Sequence, residues 1–296
     1  MGDPVLGMAH ISPRPRSMRR HRHHRAAWAT PVADTQEISR RQQIQSLDHA
    51  RIRSVTDVKS SDAPVELIFV HGALVRDGDW WWRRAADLLR ERTGIRSRAL
   101  ALPSCGEGTP EQVAGGLVAD AAALRRELDD VNSAIVVGHS YGGTVIAEAG
   151  PHPAVAHLLY VSSYLPEIGQ AQAAIMSDEP DPVSIGDNGD GTLGVAGYDA
   201  ASFGARFLQD ADETTQRQGW ERVAPQAAAA FMTPTSAAGW RGVDSTYIVC
   251  ADDRSTSVEL QRAHAARATR SVELRTGHHP FVSRPDLVVD QVQALL

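Results

Sequence analysis

Four short stretches of this chain are apolar at almost every position: 65–70 (VELIFV), 133–138 (SAIVVG), 157–161 (HLLYV) and 246–250 (TYIVC). A strand with one wet face alternates apolar and polar residues. A strand without that alternation is buried on both faces, as in a parallel sheet covered by helices. Helical segments fall between these runs. Residues 80–92 carry one. Thr109-Pro110-Glu111-Gln112 opens another, with a hydroxyl at the cap, proline at the first position and glutamine three after the cap. Further segments read as strands at 95–102 and 271–274, and as helices at 144–149, 256–267 and from Pro285 onward. The pattern predicts an α/β fold, a mostly parallel sheet flanked by helices. Residues 167–243 break the alternation, being rich in Gly, Pro, Ala and Asp with no long apolar strand. An inserted cap subdomain is expected there, because a bare loop of that length is uncommon in a compact domain.

Charge sets the other boundary. Residues 1–60 hold 11 Lys/Arg against 5 Asp/Glu, and the remaining 236 residues hold 19 against 31. The first stretch is punctuated by Pro13, Pro15 and Pro31, holds five of the 12 histidines, and shows no apolar periodicity. It reads as a disordered basic extension, leaving 61–296 as the folded domain. The acidic balance of that domain argues against nucleic acid as a partner. No run of 18 apolar residues is present, so no membrane span is expected, and no apolar signal core follows Arg19-Arg20. Cytoplasmic residence is the expectation, with Cys105 and Cys250 as two free thiols.

The chemistry concentrates at Gly138-His139-Ser140-Tyr141-Gly142-Gly143. This is G-x-S-x-G directly after a buried strand and directly before a helix. Such a turn must be sharp enough to push the serine hydroxyl out above the sheet, with small residues on either side to avoid collision. A serine nucleophile needs a base, an orienting carboxylate and oxyanion donors. Candidates stand at the ends of two later strands, Asp252-Asp253 after Cys250 and His278-His279 after 271–274. The residues alone do not choose within either pair.

Together with Phe69-Val70-His71-Gly72-Ala73 and the 278–285 segment (HHPFVSRP), these motifs resemble the α/β-hydrolase superfamily over about residues 64–296. Within it they are most similar to the branch of plant methyl-ester esterases, hydroxynitrile lyases and bacterial small-ester hydrolases. The resemblance implies a triad of Ser140, Asp253 and His278, with an oxyanion hole from the backbone N–H groups of Ala73 and Tyr141. It implies a pocket drawn from Leu74, Trp82, Tyr164 and Leu165, a small, largely apolar carboxylic ester as substrate, and neither metal nor cofactor. Lactones and thioesters would suit the same triad. Hydroxynitrile lyases of this branch carry threonine where Gly72 stands and lysine after the histidine, where this chain has His279, so lyase chemistry is disfavoured. A non-catalytic ligand-binding homologue is disfavoured because no triad member is missing. The oligomeric state, monomer or homodimer, stays open.

Overall fold

A computed structural model describes residues 65–296. The expectation for residues 1–60 lies outside the described residues. The chain runs through β1 (Glu66–Val70), α1 (Gly78–Thr93), β2 (Ser97–Ala99), α2 (Pro110–Ala114), α3 (Gly116–Asp129), β3 (Ala134–His139), α4 (Gly142–Ala149) and β4 (Val155–Val161). An inserted segment then carries α5 (Gln172–Ser177), β5 (Ile185–Asp187), β6 (Thr192–Val195), α6 (Ala200–Phe207), α7 (Glu213–Trp220), β7 (Gln226–Ala227) and α8 (Ala229–Met232). The last elements are β8 (Ser245–Cys250), α9 (Val258–Ala265), β9 (Arg270–Leu274), α10 (Pro280–Ser283) and α11 (Pro285–Gln293).

Six strands form one parallel sheet in the order β2-β1-β3-β4-β8-β9. Every residue of β3 and β8 is buried. Alternate side chains go to opposite faces. Val70, Val136, Tyr160 and Tyr247 join one core, while Phe69, Val137, Leu159 and Ile248 join the other. Two packed faces are why these runs lack alternation, and each large side chain so buried stabilises by about 1.5–3 kcal/mol. The exception is β9, an edge strand whose residues stay exposed or half-buried.

Helix starts and breaks follow local chemistry. The Asp77 side chain accepts the Trp80 N–H at the start of α1, and Gly94 closes that helix at φ 72°. Thr109 and Gln112 form a capping box. The helix expected to continue unbroken to Leu128 is interrupted at Gly115–Gly116. Gly116 takes φ 53°, and a Cβ there would lie 2.6 Å from the Ala229 carbonyl carbon. Close approach to α8 therefore ends α2 and starts α3 afresh.

Between β4 and β8 the segment forms helices and a small antiparallel sheet, β5-β6-β7. Its strands are two to four residues long, consistent with the lack of a long apolar run. From β1 the chain moves to β2 on one side and returns to β3 on the other. Such a switch point opens a crevice at the carboxyl ends of the strands, where open α/β sheets hold their ligands.

Candidate active site

Ser140 follows β3 at that crevice with φ 50°, a left-handed conformation uncommon for serine. Strain of this kind costs on the order of 1–3 kcal/mol and persists only where neighbours hold it. Here the Ser140 carbonyl accepts from Gly143 N (3.1 Å), Tyr164 N (3.3 Å) and Ser163 Oγ (2.8 Å). Glycine is required at the turn. A Cβ on Gly142 would lie 2.4 Å from the Val70 carbonyl oxygen.

The end of β8 carries Asp253, with its side chain fully buried, and the loop after β9 carries His278, also buried. His278 Nδ1 donates to Asp253 Oδ2 at 2.8 Å. That oxygen also accepts Gln261 Nε2 at 3.0 Å and the Ser162 hydroxyl, while Oδ1 accepts Ser255 N at 2.7 Å and Thr256 N at 3.1 Å. Burial alone would raise the carboxyl pKa. The neighbouring His278 ring and this set of donors outweigh burial and hold it below the usual carboxylate range. An ionised acid then fixes the imidazole with its proton on Nδ1 and leaves Nε2 free. Asp252, by contrast, is exposed.

His279 is packed away from this chemistry. Its Nδ1 donates to the Phe207 carbonyl (2.9 Å), its ring stacks on Trp81 (4.8 Å), and burial lowers its pKa to about 3. His139 Nε2 donates to the His278 carbonyl at 3.0 Å, and burial keeps it neutral too. Among the described residues, His139, His278 and His279 are the one group that could hold a metal ion, their candidate ligand atoms lying within 4.8 Å of one another. Each already has one ring nitrogen committed to a carbonyl or to Asp253.

Tyr141 follows Ser140 in its turn, and Ala73 stands on the loop after β1 that lines the same cavity. Neither backbone N–H donates to a protein acceptor among the described residues. A buried polar chain runs behind both loops. The Tyr141 phenol donates to Asp120 Oδ2 (2.8 Å), which also accepts Ser104 Oγ (2.5 Å). Gln226 Nε2 donates to that serine oxygen (2.9 Å), and Gln226 Oε1 accepts the N–H of Leu74 (2.9 Å), next to Ala73. Burial raises the Asp120 pKa despite its donors. On the same loop, His71 Nε2 lies 3.1 Å from Glu107 Oε2.

Ser140, Tyr141, Ala73, Leu74, Tyr164 and His278 line one cavity, closed on the far side by the inserted segment through Met176, Val183, Ile185, Val195, Phe203 and Phe207. Two expected pocket residues are not in its wall. Trp82 is sandwiched between Phe69 (4.5 Å) and Phe281 (3.8 Å), because position 82 faces the sheet, and Leu165 is buried in the opposite core. A wider groove lined by Glu179, Arg206, Arg254 and Glu259 lies on the outer side of Asp253 and excludes Ser140 and His278.

A profile of the alpha/beta hydrolase family matches residues 67–291. The chain belongs to that family. This alpha/beta hydrolase is 27% identical over 252 residues to a carbendazim hydrolyzing esterase of Nocardioides sp. (strain SG-4G), covering 77% of this chain and 98% of the relative. It is 26% identical over 250 residues to methylesterase 8 of Arabidopsis thaliana, covering 77% and 88%. Its structure resembles that of a pyrethroid hydrolase from Sphingobium faniae, with a TM-score of 0.65, 22% identity, and coverage of 78% of this chain and 96% of that one. The likeness to a plant methylesterase matches the branch that the motifs resemble. No helix of the described residues is long and apolar enough to cross a membrane.

Sequence reasoning missed Ser162, Gln261, Asp120 and Gln226 in this hydrolase. Ser162 meets Asp253 across 91 positions and Gln226 meets Leu74 across 152. A motif search sees neither.

Proposed function

We propose that this protein is a serine hydrolase that cleaves a small, largely apolar carboxylic ester through an acyl-enzyme. The observation that carries the reading is the strained Ser140 at the switch point, sharing one cavity with a His278 whose Nδ1 is tied to a buried, ionised Asp253. His278 Nε2 removes the Ser140 proton as Oγ attacks the ester carbonyl. The tetrahedral oxyanion is held by the N–H groups of Ala73 and Tyr141, and His278 then protonates the departing alcohol. Water attacks the acyl-enzyme by the reverse sequence, with Asp253 keeping the productive tautomer throughout. Each oxyanion donor is worth on the order of 3 kcal/mol in the transition state.

The apolar cavity wall favours an uncharged acyl group, and the relatives named as esterases support ester over other acyl chemistry. Residues 167–243 act as the cap that excludes water from the acyl-enzyme. Lyase chemistry is disfavoured because His279, where such enzymes carry lysine, is neutral and committed to the Phe207 carbonyl. A panel of p-nitrophenyl esters of rising acyl length tests the reading. Turnover should peak at short chains and fall as the acyl group outgrows the cavity. Absence of turnover across the panel, with lactones and thioesters hydrolysed instead, would reassign the substrate.

A further inference from the structure

We infer that the side-chain amide nitrogen of Gln172 is a substrate-binding donor, selecting esters that carry a second, neutral acceptor oxygen remote from the scissile carbonyl. This inference rests on the ester reading of the same cavity.

Gln172 is the first residue of α5 and is fully buried. Its Oε1 accepts the Thr144 hydroxyl at 2.5 Å. Oxygen faces Thr144. The nitrogen, Nε2, is then buried with no hydrogen-bond partner. Gln172 lines the Ser140 cavity beside Leu74, Met176, Ile185 and Val195. Of the buried side chains with an unpartnered polar atom among the described residues, it is the one in that wall. Trp82 Nε1 and Tyr160 OH are unpartnered as well, but both sit in the core, where no ligand reaches.

A buried amide N–H without a partner is costly, and a site holding one discriminates against ligands that fail to satisfy it. The donor is also rigidly placed. Thr144 stands on α4, four residues after Ser140, so the amide is anchored to the helix that carries the nucleophile. A substrate bound through its ester carbonyl at Ser140 would meet this donor with a second oxygen further along. That oxygen should be neutral, a ketone or an ether, because one uncharged donor among apolar side chains does not compensate the desolvation of a carboxylate.

The test compares methyl 3-oxobutanoate, 4-oxopentanoate and 5-oxohexanoate with methyl pentanoate and hexanoate, in wild type and in Gln172→Met. The readout is the ratio of kcat/KM for oxo ester to alkyl ester. Taking the wild-type ratio over the variant ratio cancels the intrinsic reactivity of each ester. For at least one oxo ester that double ratio should be about tenfold or more. A double ratio within twofold for all three overturns the proposal. A companion measurement needs neither turnover nor a folded variant. Calorimetric titration of wild type with 2,4-pentanedione and 2,5-hexanedione, against 2-pentanone and 2-hexanone, should show a diketone binding several-fold more tightly than its monoketone. Equal affinities count against the donor. A diketone preference with no ester hydrolysed would leave the donor standing and remove the ester reading. Ester hydrolysis with no preference would do the reverse.

Discussion

Asp252 and Asp253 are neighbours in sequence with opposite surroundings. The Asp253 carboxylate takes five donors, whereas the Asp252 side chain points to solvent. Asp253→Asn should therefore lower kcat by about 10⁴, because an amide beside Nδ1 favours the wrong imidazole tautomer. Asp252→Asn should cost less than about tenfold. Steady-state kinetics on one ester decide the matter, and a reversed order would move the acid by one position. The serine was legible in the sequence because its signal is local, a glycine-flanked turn between a strand and a helix. The choice within each acidic and histidine pair was not local and came from the family resemblance. Ser162 and Gln172 could not be read at all. Their roles depend on partners 91 and 28 positions away, with no periodicity to mark them.

Among the described elements, β7 is the smallest, and it is joined to the candidate site. Through Gln226 it grips Leu74, and through Ser104 and Asp120 it reaches the Tyr141 phenol. Ala224 N also donates to the Leu74 carbonyl at 2.9 Å. The inserted segment thus fixes both loops that would carry the oxyanion donors. Gln226→Leu should lower kcat by ten- to a hundredfold with little change in KM, the pattern of a lost transition-state contact. An equal rise in KM at constant kcat would show that β7 shapes ground-state binding instead. The sequence located the long central strands to within two residues, since a doubly buried strand writes an unbroken apolar run. It could not locate β5, β6 or β7, whose two to four residues are too few to show a pattern. The break at Gly115–Gly116 was equally hidden, because its cause is contact with Ala229, more than a hundred positions away.

The whole molecule buries several histidines as neutral rings, and this sets its response to acid. Burial lowers the pKa of His264 and of His279 to about 3, helped by the charges of Arg267 and His278 respectively, and holds His139 well below its ordinary value. In the unfolded chain each of these titrates near 6.5. Between those values the unfolded state binds more protons than the folded one, so stability is complete above about pH 6.5 and falls as pH drops toward 3. The slope is about 1.4 kcal/mol per pH unit for each ring. Going from pH 7 to pH 5 should lower Tm by about 10 °C or more. His264→Gln, at a ring that packs behind Tyr164 and does not itself line the cavity, should remove about a third of that drop. A Tm unchanged across the interval would mean that these rings are protonated in the folded state.

At the same scale, one nucleophile acts for the entire chain in the proposed hydrolysis. Treatment with an aryl phosphonate or a sulfonyl fluoride, followed by peptide mass spectrometry, tests this most directly. Loss of ester hydrolysis should track a single adduct on Ser140, and Ser140→Ala should be both unlabelled and inactive while keeping the wild-type Tm. Retention of more than a few per cent of kcat by Ser140→Ala, or an inactivating adduct on any other residue, would contradict it.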